Sequence, residues 1–206
     1  RKAVLNDLSP AATFIAYNYN TPVDVAVFEK EAKRILKEVE KECGWMYETL
    51  HTDGKTKGKI NYSVWSEFIR CSNCGNELTY WELAVDPTTR YRKKKNEPIQ
   101  CPNCYSESAL SIWDRVKTTI YDEVLAKTIT QVKQQPVLIN YSVGGKKFEK
   151  KPDEKDLSIL SKIESKQIAT QFPKLRMPDG DEARRNDNIG LTHIHHFYNS
   201  GTLTAL

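Results

Sequence analysis

Cys71-Ser72-Asn73-Cys74-Gly75 and Cys101-Pro102-Asn103-Cys104 are the two stretches on which the reading of this chain turns. Two cysteines separated by two residues can bite one ion, because a tight turn brings both sulfurs to one side, and zinc takes four thiolates tetrahedrally. The asparagine or glycine beside each pair suits a sharp backbone turn and leaves amide N–H groups able to point at sulfur. Between the pairs, Glu77 to Val85 and Pro98 to Gln100 read as strand-like. The expectation is therefore two hairpins facing one ion, a zinc ribbon. Cysteine fills all four positions and leaves none for water or substrate, which makes such a zinc structural, and no catalytic residue is assigned. Unligated thiols and disulfides are the alternatives, and nothing in the chain has the secretory character that favours disulfides. The fifth cysteine, Cys43, reads as a small buried hydrophobe at a helix end.

Upstream of the first pair, Ile60, Tyr62, Val64 and Trp65 give residues 60–70 a strand-like pattern. Residues 45–59 read as a polar loop. Its Gly54 and Gly58 are separated by three residues and Lys59 is followed by Ile60, so it is not a phosphate-binding P-loop. Asp24 is placed to cap a helix from Val25 to Cys43, whose Val25, Phe28, Ala32, Ile35, Leu36 and Val39 recur at spacings of three and four, as on a helix covering a core. Between the pairs, Arg90, Arg92, Lys93, Lys94 and Lys95 form a basic run broken only by Tyr91. It reads either as a set of phosphate contacts with Tyr91 and Trp81 as stacking surfaces, or as a solvated loop.

Downstream of the second pair, irregular chain is expected up to a hairpin over residues 135–150 turning at Gly144-Gly145, and then a helix over 154–166. Residues 172–190 read as a loop. His193-Ile194-His195-His196 leaves two readings open, a second metal site or a polar lead-in to a last apolar segment, and the sequence offers no evident acidic partner for the imidazoles.

Of the 206 residues, 39% are hydrophobic and 28% charged, and no apolar run approaches the roughly 18 residues of a membrane span. A soluble, cytoplasmic protein without a membrane partner is expected. The net charge of +4 neither repels nor establishes a nucleic-acid partner. The chain opens on Arg1-Lys-Ala-Val-Leu5 without an initiator Met, and so reads as a piece of something longer.

The opening Lys2-Ala-Val-Leu-Asn-Asp7-Leu8-Ser9-Pro10-Ala-Ala-Thr-Phe-Ile-Ala16 resembles the second strand and following helix of S-adenosylmethionine-dependent DNA methyltransferases of the N4-cytosine/N6-adenine type. Thr21-Pro-Val-Asp24, Asn61-Tyr-Ser-Val-Trp65 and the stretch from Ile139 to Asp153 are similar to a subgroup of these enzymes that carries a zinc-ribbon insertion. The resemblance implies a Rossmann-like strand–helix edge, with Asp7 accepting hydrogen bonds from the ribose hydroxyls of S-adenosylmethionine and Leu8 lying on its adenine. Without the resemblance, Asp7 serves equally well as a helix cap.

Two family motifs are missing: there is no Gly-x-Gly cofactor loop and no Pro-Pro catalytic motif. The chain thus resembles the interval between them. The resulting expectation is a mixed α+β fold: a partial cofactor-fold edge over 1–44, a zinc ribbon over 60–110, and a hairpin-plus-helix region over 111–206 that recognises DNA. Such a piece is inactive alone, and its parent transfers a methyl group to an exocyclic base amine. A non-enzymatic zinc-ribbon module that binds nucleic acid or a protein is the alternative.

Overall fold

The computed structural model describes residues 4–94, 97–168 and 171–205, and the chain divides into two units at Glu42/Cys43. The first unit is helical. Pro10 at its first turn and Ser9 as N-cap, accepting the Ala12 N–H, start α1 (Pro10–Asn20). Asp24 Oδ1 accepts from the N–H groups of Ala26 and Val27 at 3.0 and 3.1 Å and so starts α2 (Val25–Cys43). Lys33–Glu29, Arg34–Glu31 and Arg34–Glu38 pairs lace the polar face of α2. Within this unit its apolar stripe covers no core among the described residues: Val25, Phe28, Ile35 and Leu36 are all exposed. Val4 and Leu5 belong to no strand, while the first residues of the expected strand, Lys2 and Ala3, lie outside the described residues.

The second unit is built on one long strand. A 3-10 turn (Gly44–Tyr47) leads into β1 (Glu48–Leu50), and a tight loop joins β1 to β2 (Lys57–Arg70), so part of the expected loop is a hairpin. Asp53 closes that loop by accepting the N–H groups of Lys55 and Thr56. After β2 come β3 (Glu77–Thr79), α3 (Tyr80–Ala84), β4 (Pro98–Gln100), β5 (Glu107–Ala109), β6 (Asp114–Arg115), β7 (Lys117–Asp122), β8 (Lys127–Val132), β9 (Gln134–Val143) and β10 (Lys146–Lys150). Helices α4 (Glu154–Glu164), α5 (Asp181–Asp187) and α6 (Ser200–Ala205) complete it.

All strand pairs are antiparallel. The first part of β2 pairs with β1, most of its length with β9, and its last residues with β3 and β6, so one strand carries the platform sheet into the cysteine region. The platform's far edge is the β9–β10 hairpin. Its two-residue turn places Gly144 and Gly145 at φ 56° and 79°, the left-handed pair that matches the twist of the flanking strands.

Three expected segments differ. Glu77 to Val85 is half strand and half helix: Thr79 accepts the Glu82 N–H while Glu82 accepts the Thr79 N–H, a capping box that turns the chain into α3. The chain after the second cysteine pair holds the β7–β8 hairpin, whose Lys-Thr-Thr-Ile-Tyr-Asp arm is mostly exposed and so lacks an apolar alternation to betray it. Helix α5, Asp-Glu-Ala-Arg-Arg-Asn-Asp, carries one small apolar residue in seven and is equally silent.

The platform core centres on Tyr141, wholly buried, whose hydroxyl meets His51 Nδ1 at 2.8 Å. Its ring lies against Gly58 of β2, where a Cβ would overlap the ring and come within 3.0 Å of Val143. Gly58→Ala is therefore expected to destabilise the second unit by about 1–3 kcal/mol, the usual range for overpacking a tight core. Urea unfolding checks this, and a midpoint equal to that of the unmodified protein would contradict it.

Beside the ring, Thr49 is buried and donates to Asp156, which also pairs with Lys150 at 2.8 Å and accepts the Asp153 N–H within the capping box of α4. This ties the helix to the sheet through satisfied polar groups.

Candidate metal centre

The four cysteines Cys71, Cys74, Cys101 and Cys104 meet in one cluster with all sulfurs within 4.8 Å of one another. The two knuckles have the same construction. Cys71 N–H donates to Asn76 O and Gly75 N–H to Cys71 O; in the second knuckle Cys101 N–H donates to Ser106 O and Tyr105 N–H to Cys101 O, all at 2.9 Å. The residue after each pair is left-handed, Gly75 at φ 73° and Tyr105 at φ 60°. Only the first knuckle uses the residue type that takes this conformation without strain.

Each knuckle also reaches across to the other. Asn73 Nδ2 donates to Cys104 Sγ at 3.4 Å, and Asn103 Nδ2 to Cys74 Sγ at 3.5 Å. These reciprocal bonds give the shared Cys-x-Asn-Cys pattern its physical reason. Donors aimed at sulfur favour the thiolate, which is the metal-binding form. The Asn73 amide, then Ser106, pulls the Cys104 thiol down to about 5, and the Cys74 N–H lowers that of Cys71. Burial pushes Cys101 up to about 11.

The geometry fits zinc. Zn–S bonds of about 2.3 Å place the ion in a tetrahedron with S···S edges of about 3.8 Å. The Cys71–Cys104 and Cys74–Cys101 sulfurs are 3.8 Å apart, far beyond the roughly 2 Å of a disulfide. The four thiols can therefore hold one zinc ion. Cys71 and Cys101 belong to a small core with Ile69, Leu83, Ala84, Ile99 and Trp113, so the ion's site and the packing of the ribbon are one structure.

The basic run lies on the loop between the knuckles. Arg90 stacks over the Trp81 ring at 5.5 Å and pairs with Glu149 of β10 at 3.3 Å, so its charge is already engaged. Arg92 forms an isolated bridge with Val85, and the Lys93 N–H donates to Ala84 O. Arg92 and Lys94 are exposed and make no ion pair among the described residues. Lys95 lies outside the described residues.

Asp7 and Leu8 are both exposed, and Asp7 Oδ1 accepts the Ser9 N–H at 2.7 Å. Both belong to the first unit, whereas the other candidate residues all belong to the second.

His195 and His196 come together with a residue that sequence reasoning did not single out. Asp122, at the end of β7, lies within hydrogen-bond distance of the Nε2 atoms of His195 and His196, at 3.0 and 2.8 Å, both through Oδ2. Burial works to raise the Asp122 carboxyl, yet the hydrogen bonds from His196 and His195 hold it down at about 2. His193 stands aside, its Nδ1 2.8 Å from the Thr192 hydroxyl, and burial lowers its pKa. The segment is a 3-10 turn (Ile194–Phe197), which brings the neighbours His195 and His196 together on Asp122. No signal in the sequence links Asp122 to histidines more than seventy positions away.

Among the described residues no helix is long and apolar enough to cross a membrane. Set against protein-family models, curated proteins and solved structures, the chain matches none of them.

Proposed function

We propose that this chain is the part of an S-adenosylmethionine-dependent DNA methyltransferase that lies between the cofactor motif and the catalytic motif, and that its zinc-held ribbon contacts DNA. The observation that carries this reading is the ribbon itself: a closed four-thiol site clasping a loop that presents Arg92, Lys93 and Lys94. The resemblance of the flanking stretches supplies the enzyme class.

In this reading the zinc on Cys71, Cys74, Cys101 and Cys104 is structural, and the part is inactive alone. In the intact enzyme Asp7 and Leu8 edge the cofactor pocket on a Rossmann-like strand and helix, and the methyl group goes to an exocyclic amine of adenine or cytosine flipped out of the duplex. The basic side chains neutralise phosphates and position the duplex without reading its sequence. The parent works in the cytoplasm.

One observation favours the second reading, a non-enzymatic zinc-ribbon module: Asp7 Oδ1 is turned inward to the Ser9 N–H at the start of α1. A Gly-x-Gly stretch encoded upstream and a Pro-Pro motif downstream would separate the two.

The DNA-binding role is tested by Lys93→Glu/Lys94→Glu in the zinc-loaded protein. Binding to duplex DNA is expected to weaken at least about tenfold at low salt. The slope of log K against log salt is expected to become shallower by about 0.9 for each phosphate that the variant no longer neutralises. Fluorescence anisotropy between about 50 and 200 mM salt reads both quantities. A double variant with unchanged affinity and slope removes the assignment.

A further inference from the structure

We propose that Asp122, His195 and His196 form a second metal site, separate from the cysteine cluster, for a divalent first-row transition ion such as zinc. The three ligand atoms, one carboxylate oxygen and two imidazole Nε2 atoms, lie within 4.8 Å of one another. The three side chains are only 3–7% exposed, so the cluster is sheltered from competing water. Two imidazoles with one carboxylate suit zinc and its neighbours and not calcium or magnesium, which prefer oxygen ligands throughout.

The cluster borders a cavity of about 830 Å³ whose wall also includes Tyr62, Trp65 and Tyr121. Three protein ligands leave a coordination position for water or a small ligand, unlike the closed cysteine site.

The proton balance is simple. In the ion-free form His196 Nδ1 accepts the N–H groups of Thr192 and His193, at 3.2 and 3.4 Å, which puts its ring proton on Nε2, donating to Asp122. His195 Nδ1 is buried with no hydrogen-bond partner, and its Nε2 also faces Asp122. Ion binding uses the Nε2 lone pairs, so each ring proton moves to Nδ1, and Asp122 is already ionised. Starting from two neutral imidazoles, no net proton is released. At His195 the shift breaks no protein hydrogen bond at Nδ1. At His196 the Nδ1 proton would face the Thr192 and His193 N–H groups, so residues 192–196 must turn these donors away, and supply an acceptor near His195 Nδ1, as three metal–ligand bonds form.

The experiment is metal counting on the whole chain, purified without chelators, equilibrated with zinc and freed of excess. Two ions per chain are expected, falling to one in Asp122→Asn and in His195→Ala. Cobalt(II) replacement tells the sites apart. The cysteine site gives thiolate-to-metal charge-transfer absorption, and this band is expected to persist at full intensity in both variants, which also reports that the ribbon is folded. The second, sulfur-free equivalent adds only weaker visible bands, which the variants lose. If the unmodified chain takes up one ion, all of it in the charge-transfer band, the cluster is a hydrogen-bonded clasp and the proposal is overturned. Two ions in Asp122→Asn and in His195→Ala would overturn this ligand set equally.

Discussion

Cys101→Ser is expected to release the thiolate-bound ion and unfold the ribbon from Cys71 to Trp113. Cys101 is wholly buried against the small core that includes Ile99, Ala84 and Trp113, so an alcohol there both loses a ligand and leaves a polar group in an apolar site. What would remain cannot hold itself together. Strands β3, β4 and β5 are three residues each, and two-stranded pieces of that size are not stable alone in water. Apparent binding free energies of structural zinc run to about 10–16 kcal/mol in small metal-held domains, and that energy is folding energy. The β9–β10 hairpin and α4 lie in the platform and are expected to keep their structure. Trp113, which is buried with its indole N–H donating to Ser108, is the reporter: its emission should shift to that of exposed tryptophan, and proteolysis should cut between residues 71 and 113. Chelation of the unmodified protein should do the same. A variant that keeps a buried Trp113 and resists cleavage would show that the core, and not the ion, holds the ribbon.

Gly190→Ala should detach the last part of the chain from the β7–β8 hairpin. Gly190 stands at φ 85°, and a Cβ there would overlap the Thr130 carbonyl and lie 2.7 Å from Gln131 Cα. Both are backbone atoms of β8 and cannot swing away. Strain at a left-handed non-glycine residue costs about 1–3 kcal/mol, and overpacking a further 1–3, so a loss of about 2–6 kcal/mol is expected. The approach is close because it is a docking point: Val132 N–H donates to Ile189 O, and Gln131 Nε2 to Gly190 O. Those bonds set where residues 192–196 lie, and hence whether His195 and His196 reach Asp122. Chemical denaturation measures the loss, and hydrogen exchange at Val132 locates it. A variant of unchanged stability, with the Val132 amide still protected, would show that this segment is not held through Gly190.

The two predictions fall on opposite sides of what the sequence makes legible. The ribbon is legible because its chemistry is local: two Cys-x-x-Cys turns are each fixed by bonds spanning five residues, and the ligand geometry follows from the turn. The β9–β10 hairpin and helices α2 and α4 are legible for the same reason, since Gly144-Gly145, Asp24 and Asp153 act within a few residues of themselves. The β7–β8 hairpin carries no such mark. Its arms are largely exposed and polar, and β8 is flanked by the docked segment at Ile189 and Gly190. The apolar stripe of α2 shows the converse. Periodicity establishes that a helix has an apolar face, but not what covers it.

By itself the sequence determined the four-cysteine site, its closed character and the mixed α+β class, because thiolate spacing, capping and turn chemistry act over a handful of residues. Only the tertiary structure decided that β2 would carry the platform into the ribbon, that Arg90 would be engaged by Trp81 and Glu149, and that Asp122 would meet His195 and His196. Those meetings join residues about ten to more than seventy positions apart. They depend on which exposed edge a segment docks against, which is a property of the packed whole and leaves no period, cap or spacing in the chain.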